Sequence, residues 1–399
     1  KIQGSMFCLR CFKDNKMTLV ILFVSAFLFC CQPKLTTNDV ITGAAQLDYY
    51  LPLLVGKNIA LVANQTSVVH QVHLVDTLLS RGVNISKVFA PEHGFRGEAD
   101  AGTYIDNTKD LKTGLPIISL YGENKKPSKQ ALEGIDLVVF DIQDVGARFY
   151  TYISTLHYVM EACAENSIPV LVLDRPNPNA HYVDGPILDT AFTSFVGMHP
   201  IPIVHGMTLV EYAQMINGEY WLKDSVQCEL YLQGMKNYDH QKSYDLPIKP
   251  SPNLPNSQSI ALYPSLCLFE GTDMSVGRGT SQQFQVIGSP KLDTCFYAFT
   301  PISGQGAKYP KHENKDCCGW DLRDIEVQNK VDLEYLIEAY RQYEEKDARF
   351  FNSFFDKLAG SSQLRIQIES GWTSDQIKQT WKDGLDAFKK KRQLYLIYQ

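Results

Sequence analysis

The sequence lacks the short motifs that mark the commonest nucleotide and hydrolase sites. It contains no G-x-x-x-x-G-K-[ST] phosphate loop, no G-x-G-x-x-G after its first predicted strand and no G-x-S-x-G nucleophile turn. A nucleotide cofactor and an α/β-hydrolase serine are therefore disfavoured. The chain beyond its N-terminal apolar run also lacks a C-x-x-C pair, which leaves a zinc site without support. We expect no metal and no cofactor.

The sequence also has little excess of either charge. Its 38 Lys and Arg residues stand against 44 Asp and Glu residues, which gives a formal net charge of -6. No basic stripe is available to neutralise phosphates, so a nucleic-acid partner is disfavoured. Internal repeats and low-complexity tracts are absent as well, and 399 residues are enough for two globular domains with a buried core.

An apolar run near the N-terminus predicts an export signal. Residues 17–29, "MTLVILFVSAFLF", follow Lys13 and Lys16 and precede two cysteines. The run is short for a bilayer span and has the layout of a secretory signal. Because Cys30 and Cys31 stand where a lipoprotein signal places its lipidated cysteine, we expect acylation of Cys31 in an exported periplasmic or outer-membrane lipoprotein of a bacterium. A plain secretory signal and an uncleaved anchor are the alternatives.

Six of the ten cysteines lie beyond this segment, at irregular spacings: Cys163, Cys228, Cys267, Cys295, Cys317 and Cys318. A disulfide framework is not expected in so long a chain, although one bridge in an oxidising compartment is compatible with this pattern.

Four short apolar runs, each followed by polar residues, predict a parallel β-sheet. They are residues 58–65, 85–94, 136–144 and 169–177. Continuous apolar runs suit strands that helices bury on both faces. Residues 115–122 predict a further strand, and residues 72–82 and 151–167 have helical periodicity. The predicted fold class is α/β, with a doubly wound parallel sheet.

The second half of the sequence differs in composition and in hydrophobic pattern. Residues 199–221 predict a proline-interrupted strand and then a helix that begins near Thr208, with Glu211 completing a capping box. Residues 245–280 are rich in proline, asparagine and glycine, as in a connector. Helices are predicted over residues 331–346 and 373–398, in a smaller α/β domain. The predicted division is a signal segment at 1–31, an N-terminal catalytic domain at 45–258 and a C-terminal domain at 259–399.

Polar side chains follow each of the four predicted strands. They are Asn64; Glu92, His93 and Arg96; Asp141, Gln143 and Asp144; and Arg175 and Asn177. Ligands of open parallel sheets bind beyond the carboxyl ends of the strands, so one rim would collect these groups. The structural alternatives are a loop carboxylate at Glu92, a hydrogen-bonded structural histidine at His93, and a salt bridge of Asp141 or Asp144 with Arg148.

Paired carboxylates point to glycosidic bond cleavage, in which one donates a proton and the other stabilises or attacks the developing cation. Glu92 follows Pro91 at a predicted strand end, where a side chain can face a cleft. The second carboxylate is left open among four residues: Glu98, Asp141, Asp144 and Glu270.

Nine sequence blocks resemble those of NamZ-like proteins, the exo-β-N-acetylmuramidase family. In order they are "VANQTSV", "PEHGFRGEADAG", "TGLPIISLYG", "VVFDIQDVGARFYTYI", "LDRPNP", "HGMTLVEYA", "SPNLP", "YPSLCLFEGTDMSVGRGT" and "RQLYLIY". The resemblance runs from about residue 45 to the C-terminus. It implies a Rossmann-like N-terminal domain, a smaller C-terminal domain and an active site in the cleft between them.

The resemblance also implies an activity: removal of terminal β-N-acetylmuramic acid from the non-reducing end of peptidoglycan fragments. It makes Glu92 the expected general acid, beside His93. The other implied site residues are Asp141, Gln143, Asp144, Arg148 and Tyr150 and, from the second domain, Glu270 and Arg278. We further expect arginines to bind the lactyl carboxylate of muramic acid: Arg96, Arg148, Arg175 and Arg278. A glycan-binding lipoprotein without catalysis and a hydrolase of another amino sugar or ester are the alternatives.

Overall fold

The computed structural model describes residues 39–92, 94–96, 108–343 and 350–398. The predicted signal segment with Cys31 lies outside these residues, as do His93 and Glu98. From Val40 onward the chain forms one unit by its internal contacts.

The first half is built around one twisted sheet. The strands of the described residues are β1 (Ile59–Ala63), β2 (Val68–Val69), β3 (Val72–His73), β4 (Ile85–Ala90), β5 (Thr108–Lys109), β6 (Pro116–Ser119), β7 (Leu137–Asp141), β8 (Val170–Leu173), β9 (Leu230–Gln233), β10 (Val286–Ser289), β11 (Tyr297–Phe299) and β12 (Cys317–Asp321). The large sheet has the order β5-β6-β4-β1-β7-β8-β9, in which β5 pairs antiparallel with β6 and the other neighbours pair in parallel.

Helices cover this sheet and recur through the second half. They are α1 (Leu47–Leu54), α2 (Leu74–Ser80), α3 (Lys129–Leu132), α4 (Tyr152–Glu165), α5 (Leu209–Gly218), α6 (Ser257–Leu266), α7 (Glu334–Gln342), α8 (Phe355–Ala359), α9 (Gln363–Glu369), α10 (Ser374–Gln379) and α11 (Lys382–Arg392).

The six parallel strands confirm the predicted doubly wound α/β class. Counted along the chain, their order is that of the Rossmann fold, and it reverses direction between β1 and β7. Alternate residues of β7 enter two cores: Val138 and Phe140 pack on the side of α4 and α5, whereas Leu137 and Val139 pack on the side of α1 and α2. Burial on both faces explains why the strand sequences are continuously apolar.

Two features of the first half differ from the sequence-based predictions. The strand expected near residues 199–207 is wrong: Val204 forms isolated bridges to Ala147 and Asp184 and belongs to no strand. The chain instead supplies β9, an edge strand with partly exposed side chains that lacks an apolar run. The capping box of Thr208 and Glu211 at the start of α5 is confirmed.

The second half contains a small antiparallel sheet in the order β10-β12-β11, packed with short helices. A disulfide bond joins Cys295 to Cys318 in β12. The single helix predicted over residues 373–398 is wrong in extent, because the chain forms α10 and α11 instead, and α11 ends at Arg392. The capping box of Thr373 and Gln376 is confirmed.

The end of the chain returns to the first half and is anchored there. The Tyr398 hydroxyl donates to Asp174 Oδ2 at 2.6 Å and accepts from the Met235 amide at 2.8 Å. The Ile397 amide donates to Glu211 Oε1 at 2.9 Å. These contacts give the terminal "RQLYLIY" block a structural role and join the two halves.

Candidate active site

One pocket at the carboxyl edge of the large sheet draws side chains from both halves. Its empty space, including the open mouth, is about 450 Å³. Its lining comprises Glu92, residues 149–152, Ser251, Asn253, Leu254, Tyr263, Arg278 and Phe284. The first of these follows β4, residues 149–152 lead into α4, and the last two precede β10.

Glu92 is the carboxylate in the lining of this pocket. It follows the end of β4 in a turn, in which the Gly94 amide donates to Pro91 O at 3.2 Å, and its side chain is half-buried. Burial, together with the charge of Glu92 and a hydrogen bond to it, raises the pKa of the neighbouring Tyr121 hydroxyl to about 12. This placement is the one that its predicted role requires, and the role itself stays a prediction.

Aromatic rings form part of the pocket wall. Tyr150 meets Tyr152 edge to face at 4.9 Å between ring centroids, and Tyr263 meets Phe284 in the same way at 5.0 Å. The Tyr150 hydroxyl donates to Pro250 O at 2.8 Å. Because these rings are buried and mutually packed, they offer a rigid apolar surface to a ligand.

The cation of the pocket comes from the second half. Arg278 Nε lies 3.1 Å and 3.2 Å from the two carboxylate oxygens of Glu270, and its guanidinium lies over the Phe284 ring at 5.1 Å. Both Glu92 and Arg278 act on the pKa of Tyr121, the first raising and the second lowering it. Glu92 and Arg278, distant in sequence, therefore meet at one pocket, together with the ion partner Glu270.

Asp141 was expected to be catalytic and Arg175 to bind substrate, but the structure pairs them with each other outside the pocket lining. Arg175 donates from Nε to Asp141 Oδ1 at 2.6 Å and from Nη2 to Oδ2 at 2.9 Å, and also to Val68 O at 3.0 Å. Asp141 is fully buried, and neither residue belongs to the pocket lining. This pair satisfies its own charges and holds the ends of neighbouring strands together.

Asp144 is also buried outside the pocket lining. Its Oδ2 accepts from the Gly146 amide at 2.6 Å, and its Oδ1 has no hydrogen-bond partner. Burial raises the pKa of this carboxyl to about 7. His205 Nε2 lies 3.9 Å from Asp144 Oδ2, and burial lowers the pKa of that imidazole to about 3. Burial therefore favours the neutral form of both groups.

Three predicted substrate ligands form hydrogen bonds inside the protein instead. Gln143 Nε2 donates to Asp144 O at 2.8 Å and to Pro176 O at 2.6 Å. Asn177 Nδ2 donates to Met207 O at 2.8 Å. The third is Asn64, whose Nδ2 donates to the Tyr152 hydroxyl at 2.9 Å and so positions a ring of the pocket wall.

Arg148 lies outside the pocket lining and connects the two halves by buried hydrogen bonds. Its Nη1 donates to Pro186 O at 2.8 Å and Ile201 O at 2.6 Å, and its Nη2 donates to Leu358 O at 2.9 Å and Ala359 O at 2.8 Å. The side chain is fully buried, which lowers the pKa of the guanidinium to about 9. Its Nη1 and Nη2 donors are used on main-chain carbonyls and its Nε has no partner, so the structure places this side chain outside the pocket lining.

Arg96 is likewise engaged elsewhere. It forms a two-pronged ion pair with Asp110 at 2.8 Å for both contacts, and a longer contact of 3.4 Å with Asp76. Of the four arginines expected to meet the ligand carboxylate, Arg278 is the one in the described pocket lining.

Sequence reasoning missed several residues of this pocket: Ser251, Asn253, Leu254, Tyr263 and Phe284. Four of them lie in the blocks "SPNLP" and "YPSLCLFEGT". The composition of this region is that of a connector between domains, which gives no indication of a binding site. Within the described ranges, no group of three or more His, Cys, Asp or Glu side chains is arranged to hold a metal ion. In that same part of the chain, no helix has the length and apolarity to cross a membrane.

Comparison with known protein families gives two adjacent matches. Residues 59–258 match the N-terminal model, and residues 261–398 the C-terminal model, of the exo-β-N-acetylmuramidase NamZ. A protein of Bacillus subtilis strain 168, named peptidoglycan β-N-acetylmuramidase NamZ, is 39% identical over 377 residues. The alignment covers 88% of this chain and 89% of the relative.

Two solved structures from Bacteroides fragilis NCTC 9343, both of DUF1343 family proteins, share the fold. One has 49% sequence identity and a TM-score of 0.85, with 90% of this chain and 99% of that chain covered. The other has 28% identity and a TM-score of 0.77, with 91% and 100% covered.

Proposed function

The chain belongs to the exo-β-N-acetylmuramidase NamZ family, a family of glycosidases, and on that premise we propose that it removes terminal β-N-acetylmuramic acid from the non-reducing end of peptidoglycan fragments. The observation that carries the proposal is the pocket in which Glu92 and Arg278 meet between aromatic walls. Such a pocket combines a proton donor, an anion partner and an apolar surface, which are the needs of an acidic amino sugar.

Glu92 is the general acid in this proposal. Its half-buried carboxyl stands beside the Tyr121 hydroxyl, which can hydrogen-bond it in either protonation state. A protonated Glu92 would donate to the leaving glycosidic oxygen. For the second group, Glu270 has the strongest support among the candidates in the described residues, because it is bound to the pocket residue Arg278.

Arg278 is the proposed partner of the lactyl carboxylate. Its Nε is used on Glu270, and its side chain remains 29% exposed at the pocket. A guanidinium presents further N–H groups at Nη1 and Nη2 in a planar fork that suits a carboxylate. A local arrangement of this kind can bind an anion in spite of the net negative charge of the chain.

The test is hydrolysis of a chromogenic β-N-acetylmuramide by the wild-type protein and by Glu92→Gln. We expect release of the chromophore by the wild type and a loss of roughly 10²- to 10⁴-fold in kcat in the variant, the usual contribution of a general acid. The variant should keep the wild-type unfolding transition. Tight binding of the sugar without turnover by the wild type would instead support the glycan-binding alternative.

We also propose that the protein is an exported lipoprotein that acts in cell-wall recycling or scavenging. The apolar run at residues 17–29, the adjacent Cys31 and the disulfide between Cys295 and Cys318 support an oxidising location outside the cytoplasm. Full-length protein made in a bacterial host should incorporate labelled fatty acid and partition into membranes. Cys31→Ala should lose the label, and a labelled Cys31→Ala variant would contradict acylation at this position.

A further inference from the structure

The Tyr152 hydroxyl lies between the large sheet and the turn that carries Glu92. Tyr152 is the first residue of α4, belongs to the pocket lining and is 2% exposed. Its hydroxyl accepts from Asn64 Nδ2 at 2.9 Å and donates toward Glu92 O at 3.5 Å. A buried hydroxyl is therefore within reach of the main-chain carbonyl of the proposed general acid.

The side-chain amide of Asn64 sets the direction of this contact. Asn64 is fully buried, and its Oδ1 accepts from the Thr66 amide at 2.9 Å and from the Thr66 hydroxyl at 2.6 Å. A backbone amide only donates, so the atom of Asn64 that faces it must be the oxygen, and the atom that faces Tyr152 must be the NH₂ group. Tyr152 therefore accepts from Asn64, and its own proton is directed to Glu92 O.

The residues behind Tyr152 are fixed to the ends of two strands. The Asn64 backbone amide, just after β1, donates to Ser67 Oγ at 3.0 Å, and the Ser67 hydroxyl donates to Asp141 O at the end of β7. The Thr66 hydroxyl accepts from the Gln143 amide at 3.0 Å. All these contacts are buried, so they hold the ends of β1 and β7 and the start of α4 in one arrangement.

Glu92 has a hydroxyl at its side chain and another at its main chain. The Tyr121 hydroxyl is hydrogen-bonded to its carboxyl, and Tyr152 faces its carbonyl. Burial and the charge of Glu92 both raise the pKa of Tyr152, so this hydroxyl keeps its proton and remains a donor. Its 3.5 Å contact is longer than the usual O–H···O distance of about 2.7–2.8 Å, and catalytic contacts often tighten only when the ligand binds.

We propose that Tyr152, oriented by Asn64, is a positioning residue that holds the turn of Glu92 by its main-chain carbonyl and so directs the carboxyl at the leaving glycosidic oxygen. The inference rests on the proposed function, in which Glu92 is the general acid. Tyr152 itself transfers no proton to the substrate. A displacement of about 1 Å in a reacting group can reduce the rate roughly 10²-fold, which is the scale of the expected effect.

The leaving group distinguishes this role from a structural one. A weakly acidic leaving group needs a proton from the general acid, whereas a strongly acidic phenol leaves with little help. A misplaced Glu92 should therefore slow only the substrates whose leaving oxygen needs that proton. A residue that merely stabilised the fold or bound the sugar would affect all leaving groups alike.

The experiment measures kcat and KM for the phenyl and the dinitrophenyl β-N-acetylmuramides, by chromatography of the released N-acetylmuramic acid. In Tyr152→Phe we expect kcat for the phenyl glycoside to fall about 10- to 100-fold and kcat for the dinitrophenyl glycoside to stay within about 3-fold. KM should stay within about 3-fold for both, because the sugar contacts are unchanged. Glu92→Gln supplies the reference pattern and should show the same dependence on the leaving group with a larger loss.

Tyr50 provides the matched control. Its side chain is also buried, and its hydroxyl donates to a main-chain carbonyl, Ala44 O, at 2.8 Å, but it lies outside the pocket lining. Tyr50→Phe should lose about 1 kcal/mol of stability for the missing hydrogen bond and keep the wild-type kcat for both glycosides.

Asn64→Asp tests the orienting contact and does not alter the tyrosine. The aspartate keeps an acceptor for Thr66 but presents a second acceptor to Tyr152 in place of the NH₂ group. The Tyr152 hydroxyl would then donate to this carboxylate, and its proton would be withdrawn from Glu92 O. We expect the same dependence on the leaving group as in Tyr152→Phe.

The outcomes separate this inference from the function on which it rests. If the wild type cleaves both glycosides and Tyr152→Phe loses the same factor on each, loses nothing, or raises only KM, the inference is overturned and the muramidase activity stands. If Tyr152→Phe does not fold, Asn64→Asp decides by the same criterion. A wild type that cleaves neither glycoside, and to which calorimetry shows no binding of N-acetylmuramic acid, overturns both.

Discussion

The polar residues at the carboxyl edge of the large sheet fall into two groups. The buried polar cluster comprises Asn64, Asp141, Gln143, Asp144, Arg148, Arg175 and Asn177, each at most 6% exposed. The pocket cluster comprises Glu92, Tyr121, Asn253 and Arg278. Most side-chain donors and acceptors of the first group have partners inside the protein, although Asp144 Oδ1 and Arg148 Nε have none. In the second group, Glu92 and Arg278 keep part of their side chains open to the pocket.

The difference shows that a polar residue that follows a strand can be placed at the carboxyl edge of the sheet from the sequence. Its position in the sequence does not say whether the residue binds a ligand or stabilises the fold. Backbone carbonyls and amides of the loops beyond the strands need partners when they are buried, and polar side chains supply them. A site needs the opposite: a side chain whose partner is missing until the ligand arrives. Substitutions in the two clusters should therefore affect different quantities.

The largest effect is expected at Arg148, in the buried polar cluster. Arg148→Met would leave four main-chain carbonyls without their donors, at roughly 1–3 kcal/mol for each unsatisfied group. We expect a loss of at least about 4 kcal/mol in the free energy of unfolding, measured by urea denaturation. Arg278→Met is the control and should keep the wild-type midpoint. Equal loss in both variants would erase the distinction between the clusters.

A second large effect is expected for the ion pair of Asp141 with Arg175. Asp141→Asn leaves a buried guanidinium uncompensated, and the usual cost of breaking such a pair is about 3–5 kcal/mol. The double variant Asp141→Asn, Arg175→Met should recover part of that stability, because no buried charge remains. If activity fell in Asp141→Asn without any loss of stability, Asp141 would belong to the pocket cluster instead.

Substitutions in the pocket cluster should change the selectivity of the protein between substrates. Arg278→Gln removes the proposed partner of the lactyl carboxylate, and a charge-assisted hydrogen bond of this kind is worth about 1.5–3 kcal/mol. We expect kcat/KM for the β-N-acetylmuramide to fall about 10- to 100-fold. The β-N-acetylglucosaminide, which lacks the lactyl group, serves as control substrate and should change much less. Equal losses on both substrates would contradict the assignment of Arg278.

The smallest effect is a pH dependence from Asp144. Its carboxyl keeps its proton in the folded protein up to a pKa of about 7, whereas in the unfolded chain it loses the proton near pH 4. Unfolding between these values releases a proton, so stability falls as pH rises, by up to about 1.4 kcal/mol per pH unit from this group. Asp144→Asn should show a flatter decline between pH 5 and 8 in urea titrations. An unchanged slope would mean that Asp144 titrates normally.

Much of the fold could be predicted from the sequence because it is written in local patterns. The apolar runs that became β1, β4, β7 and β8 needed only hydrophobic continuity, and the capping boxes at Thr208 and Thr373 needed only neighbouring residues. The strand β9 was not predicted, because an edge strand buries little apolar side-chain surface and its sequence has no apolar run. Its place is decided by pairing with β8, which is a long-range contact.

The candidate site was predictable only in part, for the same reason. The "PEHG" and "GRGT" blocks pointed to Glu92 and Arg278, which do line the pocket. Asn253 and Tyr263 were missed, since nothing in a proline-rich connector says that it will form a wall between two halves. His93 and Cys31 lie outside the described residues, and their roles stay predictions.

The amino-acid sequence by itself determined the α/β class, five of the six parallel strands and the family to which the chain belongs, because these depend on periodicity and on motifs read in order. The tertiary structure decided which polar groups were satisfied and which were left open. Hydrogen-bond satisfaction depends on partners more than a hundred residues away, such as Leu358 for Arg148, and no local pattern encodes them.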